Sequence, residues 1–146
     1  MPTSPTIFVL NGPNLNLLGT REPEIYGHQT LDDIAGMLED QARPLGLTID
    51  MRQSNHEGHL IDWLHEANAV GAKGVLLNAG GYTHSSIAIH DAIKSITVPV
   101  IEVHLSDPHQ REEFRHLSYI GMAAVACFAG HGAASYTLAL DAAAKL

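Results

Sequence analysis

The stretch Ile7-Phe8-Val9-Leu10-Asn11-Gly12-Pro13-Asn14-Leu15-Asn16-Leu17-Leu18-Gly19-Thr20-Arg21-Glu22-Pro23-Glu24-Ile25-Tyr26-Gly27 decides how this chain folds. Its opening run, Ile7–Leu10, is wholly apolar, as a strand covered on both faces of a parallel sheet reads. A glycine- and proline-punctuated segment follows, carrying asparagines, an arginine and a tyrosine. Open α/β sheets place their chemistry on such loops, at the carboxyl ends of strands. Structureless loops longer than about 12–15 residues are uncommon and usually functional or disordered. Leu15, Leu17 and Leu18 weigh against disorder, so the segment is read as a functional lid. Arg21 and Tyr26 carry most of its meaning. A free tyrosine has a pKa near ~10, and a guanidinium beside it favours the phenolate, which can then act as a base.

Working outward, apolar runs alternate with helical patterns. Further strands are expected at Leu47–Arg52, Gly74–Leu77, Val98–Val103 and Ala123–Phe128. Thr30 reads as the N-cap of a helix over Leu31–Ala42, with Asp32 and Asp33 at its positive end and Pro44 and Gly46 stopping it. Helices are also expected over about Glu57–Val70, with Leu60, Ile61, Leu64 and Ala67 as its apolar stripe, and over Ser85–Ser95. A short acidic–basic helix is expected over Gln110–His116, and a last one after Gly132. The alternation predicts one domain spanning residues 1–146, an α/β three-layer sandwich. Its five-stranded parallel sheet is expected to have the flavodoxin-like order 2-1-3-4-5. That order brings three polar segments to one crevice: the lid, Asn78-Ala-Gly-Gly-Tyr-Thr-His84, and Glu102-Val-His-Leu-Ser106.

In the strand containing Glu102 and His104, alternation turns both side chains to one face. Two polar groups there need partners or cost several kcal/mol in burial. A carboxylate beside an imidazole orients it and suits it to general-acid work near neutrality, although a structural pair has the same pattern. Gly80 and Gly81 allow close approach of a ligand to the backbone ahead of a helix N-terminus. Arg111 and Arg115 share a face at helical spacing, and Glu112 and Glu113 make surface ion pairs the plainer reading.

Other chemistries find little support. The formal net charge of −8 disfavours a nucleic-acid surface and requires local arginines for any anionic substrate. The lone Cys127 excludes an internal disulfide and sits in an apolar run, which reads as an inert core thiol. The histidines lack metal-site spacing. Gly130-His-Gly132 is a poor dinucleotide fingerprint, with Ser135 at its third glycine position. No Gly-x-Ser-x-Gly elbow is present, and Lys73, Lys94 and Lys145 all lie near element ends, poorly placed for a Schiff base. Neither a signal peptide nor a membrane span is expected, which suggests the cytoplasm.

The motifs Asn11–Pro23, Gln53-Ser-Asn-His-Glu-Gly-His-Leu-Ile-Asp-Trp63, Asn78–His84 and Ile101–Ser106 with Arg111-Glu-Glu-Phe-Arg115 resemble type II 3-dehydroquinate dehydratase, in order and spacing, from about Ile7 to Leu140. The resemblance implies a flavodoxin-like fold, a homododecamer built as a tetramer of trimers, no cofactor and no metal. It also implies the third step of the shikimate pathway, toward chorismate and the aromatic amino acids, or quinate catabolism. By position it makes Tyr26 the base and His104 the general acid. Arg21 would favour the Tyr26 phenolate, Arg111 would assist, Asn14 would hold a water beside the enolate, and Glu102 would orient His104. Asn78 with the backbone of Leu105 and Ser106 would hold the substrate carboxylate and a nearby hydroxyl. His84 and Arg115 would hold far-edge hydroxyls, and Asp91 would reach a neighbouring subunit's site. The chain departs from the family pattern at His90, Asp107, Gly121 and Ala134-Ser135. Two other classes remain open on residues alone: a flavin- or nucleotide-binding module, and a non-catalytic assembly scaffold.

Overall fold

A computed structural model describes residues 4–20, 22–26 and 28–146, the side chain of Tyr26 excepted. Its strands are β1 (Thr6–Asn11), β2 (Thr48–Gln53), β3 (Gly74–Asn78), β4 (Val100–Val103) and β5 (Ala126–Phe128). Its α-helices are α1 (Pro23–Tyr26), α2 (Leu31–Ala42), α3 (Glu57–Ala69), α4 (Ile87–Ser95) and α5 (Ala134–Ala144). Every strand pairing is parallel, and the order is β2-β1-β3-β4-β5. Strand alternation splits the core into two layers. Ile7, Val9, Leu76, Ile101 and Val103 face α2 and α5, where Leu38, Ala139 and Leu140 meet them. Phe8, Leu10, Val75, Leu77 and Val100 face α3 and α4, against Leu60, Leu64 and Ile89. Burial of such side chains contributes about 1.5–3 kcal/mol each, and it fixes the register that aligns the strand ends.

Local chemistry sets the element boundaries. Thr30 Oγ1 accepts from the Asp33 backbone N–H at 3.1 Å while the Asp33 carboxylate accepts from the Thr30 N–H at 3.0 Å, a reciprocal capping box. Ser86 caps α4 by accepting from Ile89 N at 2.9 Å, so that helix starts later than Ser85. Two expected strands begin late. Pro99 has no N–H to donate ahead of β4, and the N–H groups of Ala123 and Ala124 turn back to the Ile120 carbonyl before β5. The helix expected over residues 110–116 is instead a pair of 3-10 turns, Pro108–Gln110 and Glu113–Arg115. Pro108 and the Asp107 side chain, which accepts from His109 N, close the first turn too early for helical propagation. The lid segment carries a 3-10 turn at Leu15–Leu17 and the short α1. No helix among the described residues is long and apolar enough to cross a membrane.

Candidate active site

At the carboxyl ends of β1, β3 and β4 the chain closes around a cavity of about 160 Å³. Pro13, Asn14 and Leu15 form one wall, Asn78, Gly80, Gly81 and His84 a second, and His104, Leu105, Ser106, Pro108, Arg111 and Arg115 the rest. The first two walls touch because of two glycines. A Cβ on Gly12 would stand 2.4 Å from the Ala79 carbonyl oxygen. Gly80 has φ +59°, and a Cβ there would meet the Pro13 carbonyl oxygen at 3.0 Å. Asn14 is itself left-handed at φ 71°, and its backbone N–H donates to Asn55 Oδ1 at 3.0 Å. Gln53 Nε2 donates to the Gly12 carbonyl at 3.1 Å and to Asn55 Oδ1 at 3.1 Å, so the loop after β2 braces the root of the lid.

His104 and Glu102 are both buried, at 7% and 4% exposure. The His104 Nε2–H donates to Glu102 Oε2 at 2.6 Å. That bond assigns the proton on Nε2 and leaves Nδ1 as the nitrogen available to the cavity. Burial alone would raise the Glu102 carboxyl; the bond and charge of His104 and a bond from Ser118 outweigh it and hold Glu102 below the ordinary carboxylate range. His84 lies nearly parallel to His104, ring centres 6.5 Å apart. Its Nδ1–H donates to the Leu117 carbonyl at 2.7 Å. Burial chiefly, together with the charges of His104 and Arg115, lowers its pKa. His84 is therefore neutral at pH 7 and presents Nε2 as an acceptor.

The arginines give the cavity its sign. Arg111 Nη1 donates to Ser106 Oγ at 3.4 Å, and Arg115 Nε donates to the Glu112 carboxylate. Arg111 directly follows the first 3-10 turn and Arg115 ends the second, so they do not share one helix face, yet both line the cavity. Among the described residues no carboxylate lines it. A molecule of net charge −8 thus has in this cavity a concave surface suited to an anion.

The other expected residues divide clearly. Asn14, Asn78, His84, Leu105, Ser106, Arg111 and Arg115 are brought together around His104. Asp91 does not line this cavity; it lies on α4, with its carboxylate 3.1 Å from His90 Nδ1. Arg21 and the side chain of Tyr26 lie outside the described residues. Cys127 is an exposed residue on the edge strand β5 rather than part of the core. One functional group went unread in the sequence. The Tyr136 hydroxyl donates to Asn11 Oδ1 at 2.7 Å and accepts from Asn78 Nδ2 at 2.9 Å, which pins the cavity-lining amide from below. The available signal was a single aromatic residue within the alanine-rich α5, opposite two strands that both end in asparagine.

Comparison with known proteins agrees with this geometry. Residues 5–144 match the family model described as Dehydroquinase class II. A Rhodopseudomonas palustris (strain BisA53) protein named 3-dehydroquinate dehydratase is 55% identical over 142 residues, covering 97% of this chain and 94% of that protein. A Rhizobium meliloti (strain 1021) protein of the same name is 60% identical over 137 residues, covering 94% and 92%. The crystal structure of type II dehydroquinase from Propionibacterium acnes superposes with a TM-score of 0.94 at 42% identity, covering 100% of both chains.

Proposed function

This chain belongs to the class II dehydroquinase family, and from that membership and the geometry of its cavity we propose that it is a 3-dehydroquinate dehydratase, removing water from 3-dehydroquinate by anti elimination. The observation that carries the proposal is a cavity lined, among the described residues, by no carboxylate but by two arginines and a His104 imidazole backed by buried Glu102. The substrate carries one carboxylate, which the arginines favour. The cavity volume, about 160 Å³, falls below the roughly 300–1,000 Å³ of larger ligand sites, so it suits one small ring better than a flavin or nucleotide.

The chemistry runs in two proton transfers. The C2 proton is α to the ketone, so its removal yields an enolate. Tyr26, as the phenolate favoured by Arg21, takes this proton; both roles rest on the family resemblance. Collapse of the enolate expels the C1 hydroxyl, which takes the Nδ1 proton of a doubly protonated His104 while Nε2–H stays on Glu102, and the products are water and the conjugated enone 3-dehydroshikimate. Asn14 positions a water beside the enolate oxygen, and Arg111 stabilises charge on the same side. Asn78 and the backbone of Leu105 and Ser106 hold the carboxylate and a nearby hydroxyl. Neutral His84 and Arg115 hold hydroxyls on the far ring edge. No redox change occurs, and the chain's own acid, base and cations suffice without an added cofactor.

The exposed apolar side chains Phe114, Leu117, Met122 and Val125 support assembly with further copies, which we take to be the homododecamer, with Asp91 directed to a neighbouring copy's site. The setting is the cytoplasm, in aromatic biosynthesis or quinate breakdown.

Turnover tests the reading directly. 3-Dehydroquinate added to the protein in the presence of a chelator is expected to develop enone absorbance in the near ultraviolet. His104→Ala and Tyr26→Phe should each lower kcat by about 10²–10⁴-fold with circular dichroism unchanged. Undiminished turnover in Tyr26→Phe removes the assigned base, and absence of turnover in the unaltered protein removes the proposed activity.

A further inference from the structure

Glu102 has more than one donor. Ser118 Oγ donates to Glu102 Oε2 at 2.6 Å, the same oxygen that receives His104 Nε2. Ser118 is itself held in place, because the Gly121 backbone N–H donates to its Oγ at 2.8 Å. The hydroxyl hydrogen is therefore the group left to point at the carboxylate. Space for this arrangement depends on Gly121, where a Cβ would stand 2.9 Å from Glu102 Oε1 and 3.1 Å from Ser118 Oγ. Across the sheet, Cys127 on β5 is the register partner of Glu102 on β4, so the two side chains share a face. Partial burial together with the Glu102 charge pushes the Cys127 thiol up to about 12. It therefore remains protonated at neutral pH.

We propose that Ser118 is a positioning residue for the general acid: by donating to Glu102 it fixes that carboxylate as an ionised acceptor, holds the Nε2–H of His104 against it, and so aims the Nδ1–H of the doubly protonated ring at the leaving hydroxyl. The inference rests on the elimination chemistry proposed above. His104 and Ser118 both donate to Oε2, so both bonds are charge-assisted and weaken when Glu102 takes up a proton. The titratable and charged groups around the carboxylate are His104 beside it, His84 from the turn after β3, and Cys127 on β5, with Arg115 and Asp107 acting through them. Ser118 is the non-titrating member, and its removal is the cleanest probe.

The experiment is Ser118→Ala, with Ser118→Thr as the conservative control. Because the Ser118 bond lowers the Glu102 pKa, its loss raises that pKa, and Glu102 takes up a proton at higher pH. The acidic limb of kcat should move to higher pH by about one unit, with kcat at the optimum reduced roughly tenfold and KM altered less than twofold. In substrate-free protein, the downfield Nε2 proton resonance of His104 should broaden or vanish in Ser118→Ala and return in Ser118→Thr. A folded Ser118→Ala protein with an unmoved acidic limb and an intact resonance overturns the proposal. If the alanine variant does not fold, Ser118→Cys, a weaker donor in the same place, is read by the same two measurements. The resonance is recorded without substrate, so it judges the positioning role even if the unaltered protein proves inactive on 3-dehydroquinate.

Discussion

At the scale of single residues, the site depends on buried polar atoms whose partners are fully specified. Tyr136 is 0% exposed, and its hydroxyl bridges Asn11 and Asn78. Tyr136→Phe leaves an amide N–H and a carbonyl without that partner, which costs about 1–3 kcal/mol. We expect urea denaturation to show that loss, and KM to rise because Asn78 is no longer pinned. Glu102 gives a pH prediction. Its folded-state pKa is depressed, so it contributes stability above the ordinary carboxylate range and loses it as pH falls through the depressed value. The slope of unfolding free energy against pH on the acid side should therefore be shallower in Glu102→Gln than in the unaltered protein; equal slopes would show the carboxylate uncoupled from folding. The pairing of Glu102 with His104 was legible because strand alternation alone puts i and i+2 on one face. Ser118 was not, because a serine sixteen residues further on, beyond two irregular turns, leaves no periodic trace.

At the scale of elements, the lid is anchored at both ends by specific contacts. Its root is braced by Gln53 and Asn55, and its far end runs into the capping box of α2. Thr30→Ala should cost about 0.5–2 kcal/mol of stability, measured by chemical denaturation, because the Asp33 N–H at the helix start loses its side-chain acceptor. α2 was legible to the residue, since a β-region threonine, two first-turn aspartates and a terminating Pro44–Gly46 pair all agree. The 110–116 segment was misread because its charges follow helical spacing while Pro108 and the Asp107 side chain impose 3-10 geometry on the start. Spacing alone cannot separate those outcomes when the segment is barely two turns long. The arginines nevertheless reach the cavity, because the turns follow directly from β4.

At the scale of the whole molecule, the strand order was readable because nearly uninterrupted apolar strands alternating with helices admit few right-handed arrangements. What single elements could not disclose was contact between distant segments: Gly12 against Ala79, and Tyr136 beneath Asn78. The charge distribution yields a further expectation. An anionic substrate approaches a protein of net charge −8 but binds beside two arginines. Added salt screens both the long-range repulsion and the local attraction, and the local attraction is the shorter-ranged and less screened. Raising ionic strength from low to physiological values should therefore speed substrate capture, seen as a rise in kcat/KM, before higher salt weakens binding. A monotonic fall from the lowest salt would show that the arginines dominate at all distances.

The backbone N–H of His104 is fastened to the Phe128 carbonyl on the outermost strand at 3.0 Å. The proton donor thus hangs on a margin only three residues long. Fraying of that selvedge would untie the imidazole while the rest of the sheet stayed knit, so deuterium uptake at His104 should track loss of turnover well below the temperature at which the molecule melts.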